Sequence, residues 1–400
     1  MRELADAPRV RDQLWSPFLL SADTLRLRAE ERRGELRRLL GVVDPRVTQV
    51  ASVAGLASAV GAAGTWGFEG QSGGGLRRVR WPVLSGVTAE GLLLVPARIR
   101  GAVVLLPDAA WTPEMLCGVS AGAEVSQGVV SRLAAVDLLV PWLRSELGDG
   151  VSGELPIGVG GVGEGGRIAL AAAAVDERIR SCWVAGYFQQ REGLWQEPLD
   201  RNVWRLLTEF GDAEQAGMVA PRRLVLEACR VPEFGGVVEA LPGRVTVAAP
   251  GRVEVCRLSS VRAETERARK FYRVYGAESG LQLVETGLAG AGLPGTSEAV
   301  QLFLGGLWPG AEAGAGTESG AGVSEVAGAG GRLGDFVLDR ERRQLDEMQE
   351  HVQRLIRGSQ RVRDGEWLVR PGEKSGWPGR QSRLRGVVRD ELIGRLPHVP

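Results

Sequence analysis

The chain has 400 residues, 44% of them hydrophobic, with 49 basic and 49 acidic side chains and a formal net charge of +0. That balance gives no electrostatic footprint for nucleic acid or an anionic membrane surface, and the length allows one large α/β domain with appendages or two to three folding units. No apolar run approaches the roughly 18 residues that span a bilayer, and the charged opening MRELADAPRVRDQLW lacks the apolar core of an export signal, so the expected compartment is the cytoplasm.

Residues 1–64 read as helical. Ser21-Ala-Asp-Thr24 precedes a run in which Leu25, Leu27, Leu36, Leu39 and Leu40 sit among Arg and Glu, and 47–60 is rich in Ala and Val. A Gly-rich break at 70–75 then sets residues 1–75 apart as a helical arm. From Val79 the pattern changes to short apolar runs between turn residues. A hairpin is expected from 79–84 and 91–95 around Ser85-Gly86. Strands follow at 102–106, 138–140, 157–160, 182–185, 224–227 and 281–285. Helices are expected at 129–135, 167–175, 203–209, 264–275 and 298–304. Apolar strands alternating with helices over 76–308 predict an α/β fold, a mostly parallel sheet with helices on both faces.

Residues 309–334 are Gly- and Ala-rich and too poor in bulky apolar residues to pack, which predicts a flexible linker. Beyond it, 335–400 reads as a helical connector and tail. A helix over 335–358 carries Leu345, Met348, Val352, Leu355 and Ile356 on one face. That stripe is expected to dock on the main domain; as an alternative, it makes the chain an interaction module. The cysteines, Cys117, Cys182, Cys229 and Cys256, are widely spaced and suggest neither zinc nor a disulfide framework. They read as small buried residues.

The segment PIGVGGVGEGGRIALAAAA (156–174) has the strand–tight turn–helix outline of a hydrolase nucleophile elbow. In G-x-S-x-G the central Ser rides a strained turn that lifts its Oγ above the sheet. Here the five positions are Gly161, Val162, Gly163, Glu164 and Gly165, so the flanking glycines remain and the hydroxyl is gone. The only histidines, His351 and His398, lie far downstream. A triad needs a base for the nucleophile's proton, and the segment after strand 281–285, Thr286 to Pro294, contains none. The acid position, after strand 224–227, falls on Glu233, with Glu227 second.

Other polar groups gather at the expected C-terminal edge of the sheet, where α/β folds bind ligands. Asp108, Glu114, Glu164, Tyr187 and Glu227 are the pocket candidates. Pairs of carboxylates can serve acid–base hydrolysis; the competing reading makes them caps and partners of the many arginines, Glu114 at a helix N-terminus. The aromatic segments 187–195 and 201–204 either line a pocket or pack as a cap over the sheet. GVGGVGEGG lacks the Lys-Ser/Thr end of a phosphate loop. A dinucleotide pattern on Gly158, Gly160 and Gly163 puts the acidic residue at Asp176 or Glu177, after a helix rather than a second strand. No cofactor or metal is therefore implied.

The series RWPVLSGVTAEGLLLVPA, LLPDAAWTPEML, PIGVGGVGEGGRIALAAAA and ETGLAGAGLPG resembles bacterial α/β-hydrolases of the dienelactone-hydrolase and acetyl-xylan-esterase type. It is most similar to planctomycete-type tandem proteins, in which a degenerate first unit precedes a complete one. The resemblance implies a catalytically degenerate first unit with its connector, exported in such proteins. It would bind or scaffold a second, active hydrolase unit, or hold a small ester or carbohydrate ligand. The alternative is a carboxylester hydrolase with a non-standard constellation on Asp108, Glu164 and Glu233. One departure is the connection between 140 and 157, close to the shortest parallel crossover.

Overall fold

The computed structural model describes residues 2–45, 47, 75–95, 101–109, 111, 113, 155–235, 251–308, 330–368 and 376–393. They belong to two compact units, Met1–Leu345 and Asp346–Pro400. The first contains five parallel strands: β3 (Ala102–Leu106), β4 (Ile157–Val162), β5 (Ile179–Ala185), β6 (Arg223–Ala228) and β7 (Leu281–Glu285), hydrogen-bonded in that order. A separate antiparallel hairpin, β1 (Gly75–Leu84) and β2 (Val87–Val95), turns at Ser85-Gly86, so its second strand begins earlier than the sequence pattern suggests.

Helices cover both faces of the sheet, as the alternation of elements predicts. On one face lie α1 (Arg2–Trp15), α2 (Ala22–Leu39), α3 (Glu164–Val175), α4 (Asp212–Val219) and α5 (Leu258–Val274), packed with Val159, Cys182, Val184, Leu224 and Leu226. On the other, α6 (Ser297–Gly305) sets Ala299 and Phe303 against Trp183, Val225 and Val284. Side chains alternate between faces along each strand, so Leu224 and Leu226 look one way and Val225 the other.

Every residue of α3 is buried, and its run of alanines lets it lie between the sheet and the outer helices. α4, eight residues all buried, escapes prediction for the same reason: a helix packed all round has no polar face to give it a period. Its start is set locally, since Glu214 accepts the Gly211 N–H at 2.8 Å, one arm of a capping box. The helix expected at 203–209 is a single turn, Leu206–Glu209, and α5 begins six residues before the expected start at 264.

Residues 2–39 are built into the same unit as the sheet instead of forming a detached arm. Trp15 meets Phe210 and Phe271 edge-on, at 6.2 and 5.7 Å between centroids, and its Nε1–H donates to the Glu209 carbonyl at 2.9 Å. Arg11 is fully buried. It donates to the Leu207 carbonyl and to Glu192, both at 2.8 Å, and pairs with Glu214 at 3.1 Å. In α2, Ser21 caps the N-terminus by accepting the Thr24 N–H, a favoured use of serine. Arg33 and Arg37 reach the carbonyls of Ala174 and Val175 at the end of α3, where cations offset the helix dipole.

The second unit holds most of α7 (Gly330–Trp367), then α8 (Trp377–Gly386) and a π-helical segment, Val387–Ile393. α7 is longer at both ends than the expected 335–358, and it begins inside the segment read as a linker. Among the described residues no helix is long and apolar enough to cross a membrane. The expected helix 129–135 and strand 138–140, almost all of 47–60, and linker residues 309–329 lie outside the described residues.

Candidate functional site

The elbow is present in the backbone. β4 runs fully buried to Val162, and Gly163 turns the chain into α3 at φ +53°, ψ −117°. A positive φ with this ψ is a glycine region, costly for any residue with a Cβ. The Gly163 N–H donates to the Ala185 carbonyl of β5 at 2.8 Å and its carbonyl accepts the Arg167 N–H at 3.1 Å, which ties the turn to β5 and to the first turn of α3. Gly165 serves close approach: a Cβ there would lie 2.1 Å from the Leu106 carbonyl oxygen. The first turn of α3 is thus pressed against the loop that follows β3.

That loop delivers Asp108. Its side chain is buried, and Oδ2 accepts the Glu164 N–H at 3.0 Å. A Cβ built on Gly163 would stand 1.9 Å from the same oxygen, so the carboxylate occupies the space into which a nucleophile's side chain would project. In a hydrolase elbow the N–H of the residue after the nucleophile helps bind the oxyanion. Here that N–H is Glu164's, and it is bonded to Asp108. The carboxylate is well placed as a helix cap, beside the positive end of α3.

Glu164 points into a buried chain of charges. Arg167 Nε meets Glu164 Oε1 at 2.6 Å and Arg201 Nε meets Oε2 at 2.8 Å. Arg201 continues to Glu197 at 2.9 Å, Glu197 to Arg191 at 3.0 Å, and Arg191 to Asp212 at 2.9 Å. Three arginines alternate with three carboxylates, and the chain is neutral. The Tyr187 ring lies 3.7 Å from the Arg191 guanidinium, in cation–π contact, and its backbone carbonyl accepts from the same arginine. Burial pushes the Tyr187 hydroxyl up, and burial also raises the Asp212 carboxyl, against the pull of Arg191. The cavity beside Arg167, Tyr187, Arg191, Arg201 and Asp212 measures about 20 Å³, room for about one water.

Glu227 lies on the other face. Like Val225, it points toward α6, and Trp183 Nε1–H donates to Oε2 at 3.0 Å. Gly295 N–H reaches Oε2, and Thr296 N–H and Oγ1–H reach Oε1, at 2.8–3.0 Å. Four donors on one carboxylate make it a structural clasp that seats the Thr296 cap of α6. Glu233 is exposed; it accepts the Val255 N–H at 3.0 Å, next to a bridge between Phe234 and Val253.

The loops expected to carry the acid and the base are tied to each other. Thr286 Oγ1–H donates to the Ala228 carbonyl and the Arg230 N–H to the Gly292 carbonyl, both at 2.8 Å. The structure therefore brings together Asp108, Glu164 and, through Arg201, whose guanidinium lies 5.8 Å from the ring centroid, Tyr187. It does not join Glu227 or Glu233 to them, and Glu114 and Cys117 lie outside the described residues. Among the described residues no cluster of His, Cys, Asp and Glu is arranged to hold a metal ion. Cys182 and Cys229 are buried and Cys256 is half-buried. Arg167, Arg191, Arg201, Glu197 and Asp212 escape the sequence reading, because arginine is spread along the whole chain.

No family model matches the chain, and no curated protein does. Solved structures that it is similar to include a methylesterase (TM-score 0.46, 15% identity, covering 76% of this chain and 68% of that one). A glucuronoyl esterase from Sporotrichum thermophile gives a TM-score of 0.42 and 14% identity over 72% of this chain and 84% of that one. An acetyl xylan esterase from Paenibacillus sp. R4 gives 0.38 and 14% over 69% and 93%.

Proposed function

We propose that this chain is an α/β-hydrolase-like domain with a degenerate catalytic elbow, which binds or scaffolds and does not itself cleave esters. The observation that carries this reading is Asp108: its carboxylate stands where a nucleophile's side chain would project and takes the Glu164 N–H. Loss of the triad's Ser or His costs on the order of 10⁶-fold in a protease. Residues 1–345 contain no histidine, so the elbow's own unit lacks the usual base as well. The occupants that fit a retained scaffold are a second, active hydrolase unit or a small ester or carbohydrate held at the strand ends. The family resemblance favours the former.

The competing enzyme reading needs carboxylates that can take up or release protons beside a substrate. Glu164 is held between two arginines and Glu233 is bonded to a backbone N–H away from the elbow; both speak against it. Hydrolysis of a short-chain aryl acetate by the full chain, beside a Glu164→Ala, Glu233→Ala double variant, tests the proposal. A rate equal to buffer for both proteins is expected. Turnover by the parent chain that disappears in the variant would overturn it.

A further inference from the structure

The buried chain of charges is neutral as a whole, but its members are unevenly placed about the cavity of about 20 Å³ beside it. The polar wall of that cavity is Arg167, Arg191, Arg201, Asp212, Tyr187 and Gln215, and the rest is apolar; Glu164 and Glu197 are not part of it. Three guanidiniums therefore share the wall with one carboxylate. Arg191 has all three of its nitrogens engaged, by Asp212, Glu197 and the Tyr187 carbonyl. The other two arginines do not. Arg167 gives Nε to Glu164 and Nη1 to the Asp200 carbonyl at 3.5 Å, and its Nη2 is buried without a partner on a residue only 8% exposed. Arg201 gives Nε to Glu164 and Nη1 to Glu197, and among the described residues its Nη2 donates to no acceptor. The Tyr187 hydroxyl and the Gln215 side-chain amide likewise have no hydrogen bond among the described residues.

A guanidinium N–H can only donate, and leaving a buried one unmatched is costly. Four groups able to donate border one small space, two of them cationic, and a negatively charged acceptor satisfies them best. We propose that this cavity is a site for one monatomic anion, chloride, held by Arg167 and Arg201 with the Tyr187 hydroxyl and the Gln215 amide beside it. The volume suits a particle about the size of a water molecule, which rules out sulfate, phosphate and carboxylates. Water is the rival occupant. It must donate as well as accept, and the one carboxylate on the wall, Asp212, already takes the Gln189 N–H and Arg191 Nε on Oδ2. Chloride only accepts, and apolar surroundings screen its attraction to the arginines little. Stripping the ion of water offsets most of that gain, so affinity in the millimolar range is expected. The site is independent of whether the elbow is catalytic.

Thermal unfolding of the full chain tests this, with chloride exchanged stepwise for gluconate, an anion too large for the cavity, at fixed ionic strength. An ion that binds only the folded state raises the midpoint in proportion to its site occupancy, so a chloride-dependent rise following a single-site curve is expected. The rise should vanish in Arg167→Gln. Because Arg167 also holds Glu164, its loss can impair folding, and crystals of the parent chain grown in bromide supply the second readout: an anomalous scattering peak beside Arg167 Nη2. Equal midpoints in chloride and gluconate, a rise that survives in Arg167→Gln, or a cavity that shows an ordered water and no anomalous peak would each overturn the proposal.

Discussion

A side chain added at Gly163 meets two separable costs. The backbone there, at φ +53° and ψ −117°, is held by residues with a Cβ only at about 1–3 kcal/mol. The new Cβ would also lie 1.9 Å from Asp108 Oδ2. The carboxylate must then leave and give up its charge-assisted hydrogen bond to the Glu164 N–H, worth about 1.5–3 kcal/mol. Gly163→Ala is therefore expected to destabilise the chain by about 2.5–6 kcal/mol. In an Asp108→Ala background the second cost is already incurred, and the same substitution should cost only about 1–3 kcal/mol. Urea denaturation of the four proteins, compared at constant m-value, closes the double-mutant cycle. A coupling near 2 kcal/mol is predicted, roughly the value of the displaced bond. Additivity to within about 0.5 kcal/mol would refute the argument that Asp108 holds the elbow.

Burial lifts the Glu264 carboxyl to about 7 despite Arg267, with Glu214 and Asp212 adding to the rise. The folded state then favours the protonated form, so this contribution is complete below about pH 4.5 and lost as pH rises through 7. Glu264→Gln should match the parent chain near pH 4.5 and exceed it by about 3 kcal/mol above pH 8; a difference that stays flat with pH in urea titrations would contradict this. Arg11→Met should cost about 3–5 kcal/mol, because it strips a buried cation from Glu192 and Glu214. A loss under about 1 kcal/mol on thermal or urea unfolding would mean that α1 is not integral to the unit. Glu227→Gln should lower stability by about 2–4 kcal/mol, since its amide nitrogen faces donors that now find a carboxylate oxygen. The change should alter Trp183 fluorescence, and an unchanged spectrum and midpoint would remove Glu227 from the role of clasp.

The elbow was legible in the sequence because its glycines mark a positive φ and a close backbone approach, both of which depend on the missing Cβ. The parallel sheet was legible because fully buried strands read as apolar runs. The face on which Glu227 lies follows from alternation with Leu224, Val225 and Leu226, yet its position at a strand end made it look like a catalytic acid. What decided its role was the Thr296 loop, nearly 70 residues downstream, and no local pattern announces that partner. Glu233 accepts the Val255 N–H beside the bridge between Phe234 and Val253, and those partners, some twenty residues downstream, are equally unannounced by local pattern. The attachment of α1 rests on Arg11 and Trp15, whose partners are backbone carbonyls and glutamates near residue 200. A charged residue in a polar-looking helix gives no hint that it will be wholly enclosed.

The central claim is that the elbow holds no working nucleophile, and single-turnover mixing tests it most directly. The full chain, in excess over a short-chain aryl acetate, is followed for release of the phenol beside buffer and an Asp108→Asn, Glu164→Gln variant. Three superimposable traces are expected. A burst of phenol from the parent chain, absent from the variant, would show a reacting group at the elbow and contradict it.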